Sequence, residues 1–238
     1  MPTICFFHDD CLGKIAVRVN ARARRFVFRV KDGALVATVP QGVSESEFRG
    51  AVVQMRPKLR AMLERAPQRQ LLQPGFRIDA ECFAFWFEEA NVRTVRFRER
   101  KGELVCLYPN GFCFEDEPVQ VWLRKGIEES LRRHAQVLFP PRLRAMAKER
   151  NLVYDRLHIH KTKSRWGSCS TLGSINLSLY LMLLPMHLQD FVMHHELTHL
   201  QEMNHGPRFH RLLDEAVKGE AKRLEAELKS CKLNHIIP

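Results

Sequence analysis

Residues 195–205 read His195-Glu196-Leu197-Thr198-His199-Leu200-Gln201-Glu202-Met203-Asn204-His205. On a helix of 3.6 residues per turn, His195 and His199 project from one face, close enough for two imidazoles to share one metal ion. Glu196 stands about 100° around that helix from His195. This keeps its carboxylate off the metal but within reach of a water beside it, as a general base requires. The pattern predicts a metal-dependent hydrolase.

A third ligand must come from beyond the helix. Glu202 is too distant if the helix continues straight. Asn204 can take the left-handed conformation that ends helices, and Gly206-Pro207 cannot continue one, so the chain is expected to bend between residues 203 and 207 around Asn204. His205 lies in that bend, and its gap of six from His199 equals the gap in the metzincin pattern HExxHxxGxxH, with Glu202 in place of the glycine. His210, after Phe209, is the rival. Leu188, Val192, His195 and His199 form one stripe, so the histidines continue an inward-facing side. His194 points about 100° away from it. Buried imidazoles without a metal would each need a hydrogen-bond partner, which makes packing a poorer account of the cluster.

Four motifs in order carry a family resemblance: Ser164-Arg165-Trp166-Gly167-Ser168-Cys169-Ser170; Gly173-Ser174-Ile175-Asn176-Leu177-Ser178-Leu179 with Pro185; His195 to Leu200; and Asn204-His205-Gly206-Pro207-Arg208-Phe209. Together they resemble the YgjP-like metallopeptidase family, whose active-site half is similar to the SprT-like minimal zincins. The resemblance is strongest over residues 155–215, and the basic N-terminal half also resembles the corresponding part of the family. It implies one Zn²⁺ per chain held by His195, His199 and His205, with Glu196 as catalytic base and a peptide or protein as substrate. His210 departs from the family pattern, which has a tryptophan after the phenylalanine; the departure bears on the pocket wall rather than on the metal.

The elements that must position these residues fall into two parts. Residues 26–30 and 34–39 alternate as strands around Lys31-Asp32-Gly33, a hairpin signal. Ser44-Glu45-Ser46-Glu47 opens a helix toward Leu63 with a capping box, and Pro57 is expected to kink or split it. Strands are expected over residues 84–87, 92–98 and 103–107. This reads as a basic β-rich module over residues 1–116. From Val119 the period becomes helical through Val121, Ile127, Leu131 and Leu138, and Pro140-Pro141 is expected to break the run. Strands over 157–163 and 174–183, either side of a Trp166-Gly167 turn, would form a small antiparallel sheet packed on the His195 helix. A C-terminal stripe of Leu212, Leu213, Val217, Leu224 and Leu228, with Gly219 as a break, reads as packing helix. The expected class is α+β, with a zincin-like domain over residues 117–238.

With 238 residues, the chain is long enough for one large core or two modest ones. No apolar run reaches membrane-spanning length, and the first ten residues lack the basic start and apolar core of a secretory signal. Seven cysteines without a CxxC pair fit reduced thiols, so a cytoplasmic setting is expected. Cys169 reads as a small buried hydrophobe.

The net charge is +11, and residues 11–31 hold Lys14, Arg18, Arg22, Arg24, Arg25, Arg29 and Lys31 with no acid. A solvated face is the default reading; nucleic acid or another anionic ligand is the alternative. Arg165, Tyr180 and Arg208 are candidates for contacting substrate or transition state. Two other functions remain open: a metal-dependent nucleoside-triphosphate phosphohydrolase, and a nucleic-acid-associated protein with a SprT-like site.

Overall fold

The computed structural model describes residues 4–31, 33–65 and 70–231. Asp32 of the expected turn, and Met1, Pro2 and Thr3 of the N-terminal reading, lie outside them. The chain divides into two compact units, Met1–Gln70 and Leu71–Pro238, so the boundary expected at residue 116 falls inside the second. The reason is a shared core: Phe83, Phe85 and Leu104 lie in one buried cluster with Leu123 and Ile127, which follow that boundary.

The first unit contains β1 (Ile4–Asp9), β2 (Gly13–Val19), β3 (Val27–Lys31), β4 (Ala34–Val39) and α1 (Glu45–Arg65). Its sheet has the order β1-β2-β4-β3, with β2 and β4 parallel and the other pairs antiparallel. Alternation sends Phe7, Ile15, Phe28 and Leu35 inward, onto Phe48, Val52 and Leu59 of α1. The capping box forms: the Ser44 N–H donates to the Glu47 carboxylate at 2.8 Å, and the Glu47 N–H to Ser44 Oγ at 3.2 Å. Pro57 does not split α1. The carbonyl it deprives of a partner belongs to Val53, which is exposed, so water can replace the lost bond.

The second unit opens with β5 (Ile78–Ala80), β6 (Phe83–Glu89), β7 (Arg96–Arg100) and β8 (Glu103–Tyr108). Their order is β5-β6-β8-β7 with β6 and β8 parallel, the topology of the first sheet over again. The rows correspond. Phe7, Ile15 and Leu35 pair across the first sheet as Ile78, Phe85 and Leu104 pair across the second, and all six are buried. Both β4 and β8 lie within Gly-x-Leu-Val-x-x-x-Pro-x-Gly, from Gly33 to Gly42 and from Gly102 to Gly111. The duplication was not among the sequence expectations.

Helix α2 (Glu117–Glu149) runs unbroken through Pro140-Pro141, contrary to expectation. The carbonyls left without partners, those of Gln136 and Val137, are on the exposed side, while Phe139 and Leu143 anchor both flanks in the core. Its buried stripe, Leu123, Ile127, Leu131, Ala135, Phe139, Leu143 and Ala147, has a period of four. Such a stripe drifts about 40° per step and winds around the helix. The N-terminal half thus meets the second sheet, with Trp122 stacked on Phe97 at 4.4 Å and His134 against Phe83. The C-terminal half meets the elements that carry the histidines.

Those elements are β9 (Leu157–His160), β10 (Gly167–Cys169), β11 (Ile175–Ser178), a 3-10 helix (Leu179–Leu183), α3 (Met186–Thr198), α4 (Pro207–Ala216) and α5 (Ala221–Ser230). The small sheet is mixed, not antiparallel: its order is β10-β11-β9, with β9 parallel to β11. Gly167, read as a turn residue, starts β10, which forms a hairpin with β11 through Ser170 and Ser174. The strand expected to reach Leu183 stops at Ser178, whose hydroxyl accepts the Tyr180 N–H and donates to the Thr162 carbonyl. All five residues of the following 3-10 helix are buried, so no alternation marked the change. No helix among the described residues is long and apolar enough to cross a membrane.

Candidate metal centre

Two arginines, Arg142 in α2 and Arg150 capping its C-terminal end, hold α3. Arg142 donates to Gln189 Oε1 at 2.6 Å, to Asp190 and to the Met186 carbonyl near the start of α3. Arg150 donates to the His194 carbonyl at 3.2 Å, to Thr198 Oγ1 at 3.1 Å and to Gln201 Oε1 at 3.3 Å near its end. A cation there also suits the negative end of the helix dipole. Leu188, Val192 and Leu197 bury the inner face, so His195 and His199 lie at the core's margin.

The helix ends at Thr198, earlier than expected, and His199 caps it. The bend starts there: the N–H groups of Gln201 and Glu202 both donate to the Thr198 carbonyl. Asn204 does not take the left-handed conformation expected of it. The longer bend returns His205 to the helix, and Gly206-Pro207 starts α4 directly behind it.

Imidazole nitrogens of His195, His199 and His205 all lie within 4.8 Å of one another, the one such cluster of potential metal-binding side chains found among the described residues. Nε2 of His195 and Nε2 of His205 are 3.1 Å apart. Ligands on a tetrahedral ion at about 2.0–2.1 Å stand about 3.3 Å apart, so the His195–His205 pair is already near ligand spacing and side-chain adjustment would bring the set onto one metal ion. The Nδ1–H of His199 is placed to donate to the Glu202 carbonyl at 3.2 Å, which leaves Nε2 as the lone-pair donor. Burial, with His199 and His205 close by, pushes the His195 pKa down to about 4, so this ring is neutral at pH 7 and able to ligate. The fully buried Phe209 packs against all three imidazoles at centroid distances of 4.6 to 4.9 Å.

Glu196 is buried, and its Oε2 has no hydrogen-bond partner. Burial pushes its carboxyl up to about 8, against the pull of Arg165. Gly167 lies against it: a Cβ there would stand 2.5 Å from Glu196 Oε1. Arg165 is exposed on the wall of a cavity of about 240 Å³ that Trp166, Gly167, Ser168 and Asn176 also line. Tyr180, by contrast, is fully buried and donates its hydroxyl to Glu128 Oε1 at 2.7 Å, which commits it to α2 rather than to substrate. Arg208 is exposed, 3.9 Å from the Glu202 carboxylate, and neither His210 nor Glu202 joins the three imidazoles. His194 lies half-buried off that cluster, and the Cys169 thiol, pushed up to about 11 by burial and by Glu196, stays neutral.

Sequence reading missed Arg142, Arg150, the role of Gly167 and the Phe209 platform. Only Gly167 and Phe209 left a signal, as members of quoted motifs.

Among solved structures, the chain is similar to the metallopeptidase zymogen abylysin of Pyrococcus abyssi, with 22% identity over 38% of this chain and 90% of that one, at a TM-score of 0.35. It is similar also to the zymogen jannalysin of Methanocaldococcus jannaschii, with 21% identity over 38% and 92% and a TM-score of 0.34. No curated protein matches. Residues 24–231 match the YgjP-like metallopeptidase domain, most of the chain's length, and the chain therefore belongs to the YgjP-like metallopeptidase family.

Proposed function

We propose that this protein is a zinc-dependent peptidase with a zincin-like catalytic half, in which His195, His199 and His205 hold one Zn²⁺ and Glu196 is the general base. The observation that carries the reading is the convergence of three imidazoles beside a buried carboxylate with an unpartnered oxygen. Three imidazole nitrogens suit zinc and leave a fourth position open, as in catalytic sites. Zinc bound there would supply Lewis acidity, lowering the pKa of a water toward about 7 and polarising the scissile carbonyl. Glu196 takes the proton of the attacking water and returns it to the leaving amine, a role suited to a buried carboxylate with an unpartnered oxygen beside the three imidazoles. Gly167 leaves room for that carboxylate, and Arg165 is the charged side chain best placed to meet a substrate carbonyl.

The test pairs zinc analysis with hydrolysis of an unfolded protein and of nucleoside triphosphates. Wild type should bind one zinc and cleave protein. Glu196→Gln should keep its zinc and lose roughly 100-fold or more in rate. His205→Ala should lose the metal, while His210→Ala should keep it. Full activity in Glu196→Gln would remove the base assignment, and triphosphate hydrolysis without proteolysis would overturn the substrate class.

A further inference from the structure

The duplication gives this molecule an internal standard for its charged surfaces. In the second sheet, the side facing away from the core carries Arg96, Arg98 and Arg100 on β7 and Arg77 just before β5, with three carboxylates, Asp79, Glu88 and Glu103, among them on the other strands. Glu88 is 3.0 Å from Arg98, Glu103 pairs directly across from Arg100, and Asp79 is 3.5 Å from Arg77. Cations crowded on one sheet face repel one another, and opposite charges across strands relieve this. The sheet register places His8, Arg18 and Ala34 of the first sheet where the second has Asp79, Glu88 and Glu103. Its outer face has Lys14, Arg18 and Arg29 and no acid, and the following loop adds the exposed Arg24 and Arg25. None of these five is ion-paired among the described residues.

The same fold is therefore built once with carboxylates among the cations of its outer face and once without them. Ala16, Val36 and Thr38 keep the centre of the acid-free face low and flat, between Phe6 on one edge strand and Arg29 on the other. Phe6 is 63% exposed, with the Lys14 ammonium 3.9 Å from its ring centroid. A basic face with an exposed aromatic suits unpaired bases, which can stack while phosphates meet the cations; an acidic peptide offers carboxylates to the cations but no base to stack on the ring.

We propose that the outer face of the β1–β4 sheet binds single-stranded nucleic acid. The proposal is independent of the metal centre and goes beyond its peptidase activity.

The experiment follows fluorescence anisotropy of a labelled oligo-dT of about 20 nucleotides with the full chain, from about 50 to 200 mM salt. Wild type should bind, with log K falling linearly with log salt. The triple variant Lys14→Gln/Arg18→Gln/Arg29→Gln should bind at least about tenfold more weakly and have a slope shallower by about 2, since each lost phosphate contact removes about 0.7. Phe6→Ala should weaken binding about fivefold or more at unchanged slope, as loss of a stacked base does. The matched triple Arg96→Gln/Arg98→Gln/Arg100→Gln on the second sheet should change neither. The proposal is overturned by absence of binding at the lowest salt, by equal losses in the two triples, or by equal competition from duplex DNA, polyglutamate or phosphatidylserine vesicles together with an indifferent Phe6→Ala.

Discussion

Gly167→Ala adds one methyl group at the place where β10 passes the HExxH helix, and the geometry gives its effect a size. The new Cβ would lie 2.5 Å from Glu196 Oε1 and 2.8 Å from Cγ and Cδ, so the carboxylate must retreat by about 0.9 Å to reach ordinary contact. Gly167 does not occupy the left-handed region, so alanine brings no backbone strain and the clash is the perturbation. Overpacking of this kind costs about 1–3 kcal/mol of stability. The larger effect falls on the reaction, because displacing a catalytic group by about 1 Å costs about 100-fold in rate. The three imidazoles are not touched, so zinc content should stay at the wild-type value while kcat falls by about two orders of magnitude and KM changes little. Steady-state kinetics on an unfolded protein, zinc analysis and a urea melt on one preparation separate these quantities. A folded, zinc-replete Gly167→Ala with kcat within about threefold of wild type would refute the reasoning, because Glu196 would then have tolerated the displacement.

Other consequences concern the scaffold and the metal-free state. Arg150→Lys keeps the charge but not the fork that grips the end of α3, so stability should fall by about 1.5–3 kcal/mol and a chelator should strip zinc faster; an unchanged melt and chelation rate would show that the clamp is idle. Gly126→Ala would place a Cβ 2.0 Å from Phe97 Cε2 and disturb its stack on Trp122, lowering stability by at least about 1–3 kcal/mol without changing kcat of the folded fraction. In metal-free protein the Glu196 carboxyl, raised to about 8 by burial, keeps its proton after the unfolded chain has released its own, so this group makes stability fall as pH rises from about 4.5 through 8. His195, lowered to about 4, acts in the opposite direction but only below about 6.5; denaturation between pH 6.5 and 8 should therefore show a decline in the metal-free wild type that Glu196→Gln lacks.

The candidate site was legible because helical spacing is a local property. Four residues on a helix are one turn wherever the helix lies, so His195, Glu196 and His199 could be placed without knowing the fold. His205 could be singled out only with its rival His210 beside it, because choosing between them requires the path of the bend. That bend begins at His199 rather than at Asn204, a matter of which N–H groups reach the Thr198 carbonyl. Gly167 and Arg150 are farther from legibility still. Each acts on α3 from an element about 30 to 50 positions away, and nothing local marks an arginine at the end of one helix as the clamp of another.

The fold was misread where tertiary packing overrides local signals. Pro140-Pro141 should stop a helix, and does not, because the exposed side of α2 absorbs the lost hydrogen bonds while the buried side is held by Phe139 and Leu143. The boundary near residue 116 followed a change from strand to helix, but a change of element is no boundary when the helix completes the core of the sheet before it. The repeated Gly-x-Leu-Val-x-x-x-Pro-x-Gly was present throughout, and it would have corrected that boundary, since a second sheet built like the first calls for a helix of its own, as α1 serves the first. It also changes the reading of residues 11–31. A run of seven cations taken alone reads by default as a solvated face, with a ligand surface as the alternative. Against the second copy, where carboxylates stand among the arginines, the first copy's outer face holds cations without acids, an arrangement that the shared topology does not require.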